Sequence, residues 1–196
     1  MDTPQVKGAW REVANAARTT IGESIGYTDV ASNWKRRMLL AEHSIIRKLV
    51  VSWKWYNLKS WVSVHFVRHK YGIEHFVQSQ RPDRKGPNRD DAPQSTLINH
   101  ECEANAQAII NISRKRLCGQ AMPETKDAWD EFLSALEMIE PELVRASVPE
   151  CVYRGWCYEY NSCGFHLTSH YRKWLNEYRE NINHWGERNE DNNFYE

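Results

Sequence analysis

The chain has 196 residues, with 26 Lys and Arg against 26 Asp and Glu, 41% hydrophobic residues and 12% aromatic residues. That length suits one domain with its own core, and the apolar fraction excludes a chain that stays unfolded for want of something to bury. The formal net charge of +0 provides no overall field toward nucleic acid or an anionic membrane, so any basic site must be local.

No stretch approaches the roughly 18 consecutive apolar residues of a membrane span, and MDTPQVKGAW has neither the basic nor the apolar region of a signal peptide. The expected address is therefore the cytoplasm. Five cysteines, an odd number in such a chain, argue against a disulfide framework and leave free thiols or metal ligands.

In chain order, residues 1–43 read as mainly helical, interrupted by a turn-prone stretch at Gly22 to Gly26. Over 45–55 the period changes. Ile45, Leu49, Val51, Trp53 and Trp55 lie two or four apart and would share one face of a strand, with Arg47 the exception. Asn57 or Ser60 then caps a helix whose stripe is Leu58, Trp61, Val62, His65 and Phe66, extended one turn by His69. Residues 79–96 are rich in Pro and charge and read as a long surface loop. A helix over 103–117 would carry Asn105 and Arg116 on one face, since eleven residues at about 100° each return to within roughly 20°. Pro123 opens a further amphipathic helix with Trp129, Phe132, Leu133 and Leu136 on its buried stripe, ending before Pro141. After Pro149 the sequence is irregular and cysteine-rich to Gly164. A last helix over 166–178 precedes a polar tail expected to fray.

The densest polar cluster beside apolar structure is Arg68-His69-Lys70, which suits a phosphate or a polarised carbonyl but equally a solvated helix end. It does not stand alone. Ala16-Ala17-Arg18-Thr19, Glu42-His43 before the first long strand, Arg68-His69-Lys70 after an apolar segment, and Asn105-Ala106, Asn111, Arg116, Ala121 and Glu124 occur in that order. Together these segments, spread over residues 14–135, resemble the flavin-dependent thymidylate synthases, whose Arg-His-Arg motif the third one approaches.

The resemblance implies an α+β fold, helices packed on a small and mostly antiparallel sheet. The domain it implies covers 1–150; beyond it the sequence itself gives a cysteine-rich segment over 151–180, expected to pack on that domain, and a polar tail over 181–196. The resemblance also implies a methyltransferase, a flavoprotein of nucleotide biosynthesis that reductively methylates dUMP to dTMP with FAD, NADPH and methylene-tetrahydrofolate and without a protein nucleophile. The protein's part is then positioning and electrostatics. Carried over by position, His43, Arg68, His69, Lys70, Asn105 and Asn111 would hold the flavin or the folate beside it. Arg116 would bind the uracil ring and stabilise charge on it, with His43 as a second catalytic group. Asn111 lies about 140° round an ideal helix from Arg116, so both reach one ligand only if the helix end distorts or if two subunits share the site; the resemblance, to a family of tetramers with sites built between subunits, implies the second.

Beyond Lys70 the chain departs from the family pattern. Glu74, Ser79 and Arg81 offer the substrate-binding groups only with shifts of register, and Gln107 and Gln120 stand where the family carries Arg and His. A different pyrimidine nucleotide is therefore the first alternative. The basic loop Arg81, Arg84, Lys85 and Arg89 reads either as a phosphate lid or as a solvated loop offset by Asp83, Asp90 and Asp91.

Cys118, Cys151, Cys157 and Cys163 could close a zinc site or hold an iron-sulfur cluster, although the spacing is not that of a common knuckle, and inert thiols remain the other reading. Of the nine Trp, Trp53, Trp55 and Trp61 are expected at a subunit interface and Trp129 in the core, while Trp156, Trp174 and Trp185 fall in the C-terminal segment. From a different class comes the reading of a cysteine-metal nucleic-acid-binding module using Lys35 to Arg37, Arg114 to Arg116 and the Trp set. Zero net charge and the lack of a recognised motif weigh against it.

Overall fold

The computed structural model describes residues 1–84, 88 and 90–183; Lys85, Arg89, Trp185 and the polar tail beyond 183 lie outside that set. Its centre is a four-stranded antiparallel sheet, in which β1 (Gln5–Lys7), β2 (Val50–Lys59), β3 (Ile73–Val77) and β4 (Leu97–Asn105) lie in the order β1-β2-β4-β3. Helices α1 (Trp10–Thr20) and α2 (Ser32–Leu40) precede β2, and α3 (Ser60–Val67) follows it directly. After β4 come α4 (Ala106–Arg116), α5 (Pro123–Glu137), α6 (Pro141–Ala146), α7 (Glu150–Arg154) and α8 (Ser169–Asn183). The α+β class and the helix-on-antiparallel-sheet arrangement expected from the sequence are the ones observed.

The sheet has one dry face, because its strands alternate. Val51, Trp53 and Trp55 on β2 and Ile98, His100, Cys102 and Ala104 on β4 are buried, whereas Glu101 is exposed and Lys54 and Glu103 are half-exposed on the other side. Against the dry face, Trp53 stacks on Phe132 of α5 at 4.1 Å and Trp55 stacks on Phe66 of α3 at 4.6 Å. Two indoles of this layer find polar partners, Trp55 Nε1 donating to the Ala128 carbonyl at 3.1 Å and Trp129 Nε1 to Ser113 Oγ at 3.0 Å, whereas Trp53 Nε1 is buried without one. A smaller cluster of Val148, Val152, Tyr171, Leu175 and Tyr178 joins α7 and α8.

Several expected boundaries move. Residues 45–48 are not strand: Ser44–Lys48 forms a 3-10 turn in which Ile45 and Ile46 are both buried, which no alternating strand permits, and β2 starts at Val50. Leu58 also belongs to β2, past a bulge where Asn57 adopts φ 56, so Lys59 rather than Asn57 or Ser60 occupies the cap position of α3. His69 lies beyond α3, whose last turn closes with its N–H on the Phe66 carbonyl. The helix expected over 103–117 begins only at Ala106, because 97–105 pairs on both sides as β4. The terminal helix starts at Ser169 rather than 166. Trp53 and Trp55, each 2% exposed, are core and not interface residues.

Truncating Phe132 removes the ring on which Trp53 stacks and leaves a cavity between α5 and the sheet. Phe132→Ala is expected to lower unfolding free energy by about 3–5 kcal/mol, read as a reduced urea midpoint at unchanged m-value.

Candidate active site

Arg116 ends α4, and its fork is already aimed. Nε donates to His69 Nε2 at 3.0 Å and Nη2 to the His65 carbonyl at 2.6 Å. A guanidinium can only donate, so His69 Nε2 must be a lone pair and the ring neutral with its proton on Nδ1. Electrostatics agree. Burial, followed by the charge of Arg116 and the nearby His75, pushes the His69 pKa down to about 4. Arg116 itself is lowered by burial and by Arg68, so two guanidiniums share this corner in a way that favours an anionic visitor.

The main chain of His69 is held from the sheet. His75 on β3 bonds the His69 carbonyl through Nε2 at 2.9 Å, which places its proton on Nε2 and leaves Nδ1 to accept from His100 Nε2 at 3.0 Å. His100 is fully buried, its own pKa pushed down to about 4 by burial and by His75, and its Nδ1 has no partner. Cys102, opposite His75 in the register, sits 3.3–3.4 Å from both rings. Among the described residues, this trio is the one set of three or more His, Cys, Asp or Glu whose ligand atoms lie within 4.8 Å of one another. Hydrogen bonds already account for its contacts. Sequence reading missed His75 and His100; the signal was a polar residue at a buried position of a strand not yet recognised.

Asn105 bridges strand and helix. Its side chain caps α4 by accepting from the Ala108 N–H at 2.9 Å, and its own N–H donates to the Gly72 carbonyl at 2.9 Å. Gly72 has φ +74, and a Cβ there would come 2.6 Å from Asn105 Nδ2, so only glycine lets the turn after Lys70 close on this side chain.

Arg68 and Lys70 are exposed and line a groove of about 590 Å³ with Ser79; Val64, Val67, Val77 and Ile98 form its apolar wall. Arg81 is engaged by Asp83 through two hydrogen bonds of 2.9 and 2.7 Å. Glu74 is exposed and stands opposite Glu103, out of step with His75 along β3, and so faces away from Arg116.

His43 and Asn111 fall elsewhere. His43 is exposed beside Glu42, which adopts φ 49 and pairs with Arg114 and Gln107; both of these also donate to Asn111 Oδ1. Arg114 in turn lies 3.6 Å over the Tyr153 ring. The sequence-predicted residues thus form two stations on one chain, one around His69 and Arg116 with the groove of Arg68 and Lys70, the other around His43 and Asn111. Cys118, Cys151, Cys157 and Cys163 all line a third place, a cavity of about 220 Å³ beyond the end of α4.

No family model matches the chain, and no curated protein does. Solved structures do match. A flavin-dependent thymidylate synthase from Helicobacter pylori complexed with FAD and dUMP superposes with a TM-score of 0.59 at 14% identity, covering 74% of this chain and 97% of that one. Thymidylate synthase X of the same organism with FAD and dUMP gives 0.57 at 16% identity, over 71% and 94%. A UMP/dUMP methylase from Streptomyces cacaoi bound with 5-Br dUMP gives 0.57 at 14%, over 72% and 91%. At these identities the likeness establishes the fold.

His69 and His100 are neutral in the native state, while unfolded histidines bind protons near 6.5. Between about 6.5 and 4 the unfolded chain therefore holds more protons, and stability should fall as pH drops through that window. Urea midpoints measured from pH 7 to 4 should show this fall, and His69→Gln should make it shallower.

Proposed function

We propose that the protein is a flavin-dependent methyltransferase that converts a deoxyuridine nucleotide to its 5-methyl form, with FAD as cofactor and methylene-tetrahydrofolate and NADPH as co-substrates. The observation that carries this reading is the Arg116–His69 pair beside Arg68: a fixed planar cation held by a neutral imidazole, on the fold that flavin-dependent thymidylate synthases share. The groove suits a flavin, since its apolar wall can take a flat ring and Arg68 and Lys70 on its lip can take phosphates.

When bound, the reduced flavin supplies the hydride that brings a folate-derived methylene on C5 of uracil to the methyl level, while C5 loses its proton, tetrahydrofolate leaves and NADPH restores the flavin. The protein's share is binding and charge. Arg116 offers its guanidinium to the uracil edge, where negative charge develops as C5 becomes nucleophilic, and the His69 and His65 contacts fix its orientation beforehand. His69 keeps the corner from gaining a second buried positive charge. Asn105 holds the start of α4 against the turn after Lys70. Because His43 and Asn111 form a separate station, a complete site takes one station from each of two subunits, in keeping with a homotetramer. The nucleotide phosphate falls to Ser79 and the 79–84 loop, where Arg81 must leave Asp83 to contribute. Glu74 faces away from Arg116 and has no part in this arrangement. A metal at the four cysteines takes no part in the electron flow.

The nucleic-acid reading loses its main supports. Arg114, Lys115 and Arg116 are engaged with Glu42, Glu159 and His69, and Trp53, Trp55 and Trp129 are sealed in the core.

Purified protein should carry or take up FAD, with absorbance bleached by NADPH and restored only when folate and dUMP are both present. Colourless protein that FAD does not reconstitute would sink the reading. Arg116→Lys should keep the flavin spectrum yet lower kcat/KM by about 10²–10³, the scale for losing one oriented donor at a developing charge.

A further inference from the structure

We propose that Cys118, Cys151, Cys157 and Cys163 are the four ligands of a structural zinc ion that fastens the end of α4 to the C-terminal segment. Three independent features of the chain lead there.

The first is convergence. Four of the five cysteines line one cavity of about 220 Å³, although Cys118 comes from the turn after α4 and the others follow Pro149. The fifth, Cys102, is sealed in the sheet, and none of the five is in a disulfide. Cys118, Cys151 and Cys157 are half-buried and Cys163 is exposed, yet all four line one void, and four sulfurs around one void are the ligand set of a closed tetrahedral zinc site.

The second is local backbone design. A Cβ at Gly119 would stand 2.9 Å from Cys163 Sγ and 3.3 Å from its Cβ, so the glycine after Cys118 is what admits the Cys163 sulfur beside the main chain.

The third is what the segment lacks. From Tyr153 to His170 no residue is buried, and Trp156, Tyr158, Tyr160 and Leu167 are exposed. A stretch that returns to the domain with so little apolar burial needs another fastening, which small structures take from disulfides or metals.

The sulfurs ring the cavity without three of them lying within 4.8 Å of one another, so reaching Zn–S distances of about 2.3 Å calls for side-chain rotation, for which each cysteine has one torsion. Binding is Zn²⁺ plus four thiols giving a tetrathiolate complex and four released protons, with no change of oxidation state. His166 also lines the cavity, with its Nδ1 3.1 Å from Ser162 Oγ and its ring edge-on against Trp156; the proposal assigns the four ligand positions to the sulfurs.

Metal analysis of the full chain after dialysis decides the matter independently of the flavin reading. About one zinc per chain is expected, reduced at least tenfold in Cys157→Ser with a lower Tm, and unchanged in Cys102→Ala. Should Cys157→Ser fail to fold, exchange of Co²⁺ into the wild-type protein must give thiolate-to-cobalt charge-transfer and tetrahedral d–d bands. Protein without zinc that yields no such bands, iron with acid-labile sulfide in place of zinc, or disulfides among the four cysteines would each overturn the proposal, whether or not the protein binds FAD. A zinc-loaded protein that never binds flavin would uphold it and leave the proposed reaction to fail separately.

Discussion

Everything else in the molecule hangs on the sheet having a single dry face. Two stacks, Trp53 on Phe132 and Trp55 on Phe66, fix α5 and α3 against that face. Burying an aromatic side chain contributes on the order of 2–3 kcal/mol, and stacking adds roughly another 1 kcal/mol. Because α3 leads straight into Arg68 and His69, and because Trp129 of α5 donates to Ser113 of α4, the same packing sets the distance between the turn after α3 and the end of α4. Arg116 meets His69 as a result of core packing, without a loop having to fold over a ligand.

The other constraint is charge in a confined place. The charge of Arg68 weighs on the half-buried Arg116, and a protonated His69 would add a third positive charge; burial and Arg116 together keep it neutral. A corner built in this way favours a negative charge placed beside the two guanidiniums. The second station, with His43 and Asn111 beside the Glu42–Arg114 pair, lies on another face of α4, about 140° round the helix from Arg116. Oligomerisation follows from that geometry on the proposed reading.

How much was legible in the sequence depended on the purity of each local pattern. The long apolar stripe of α5, opened by Pro123, stands where its period put it. The order of Arg68, His69, Asn105 and Arg116 pointed to a fold that the solved structures share. Strand β4 was hidden because its buried face carries His100 and Cys102, which spoil an apolar alternation while serving the site. Strand β2 was placed too early because Ile45, in a 3-10 turn, and Leu49, the residue that caps it, match its period by chance. Its length past Trp55 depends on a bulge with Asn57 at positive φ, a detail that alternation cannot encode. The roles of Gly72 and Gly119 were invisible for a simpler reason: each is defined by what its missing Cβ would strike, and those atoms come from distant parts of the chain.

The bond from His75 to the His69 carbonyl has a mechanical side. It ties the turn after α3 to a strand whose other contacts are the β3–β4 ladder, so a ligand pressing on His69 works against sheet hydrogen bonds rather than a free loop. The turn therefore has little configurational freedom left to lose when something docks on it, and the entropy that binding usually takes from a recognition loop has already been given up during folding. Stiffness at the site is in this sense a property of β3, an edge strand of five residues, and any change that loosens that edge would be felt first as weaker ligand capture and only later as loss of the fold.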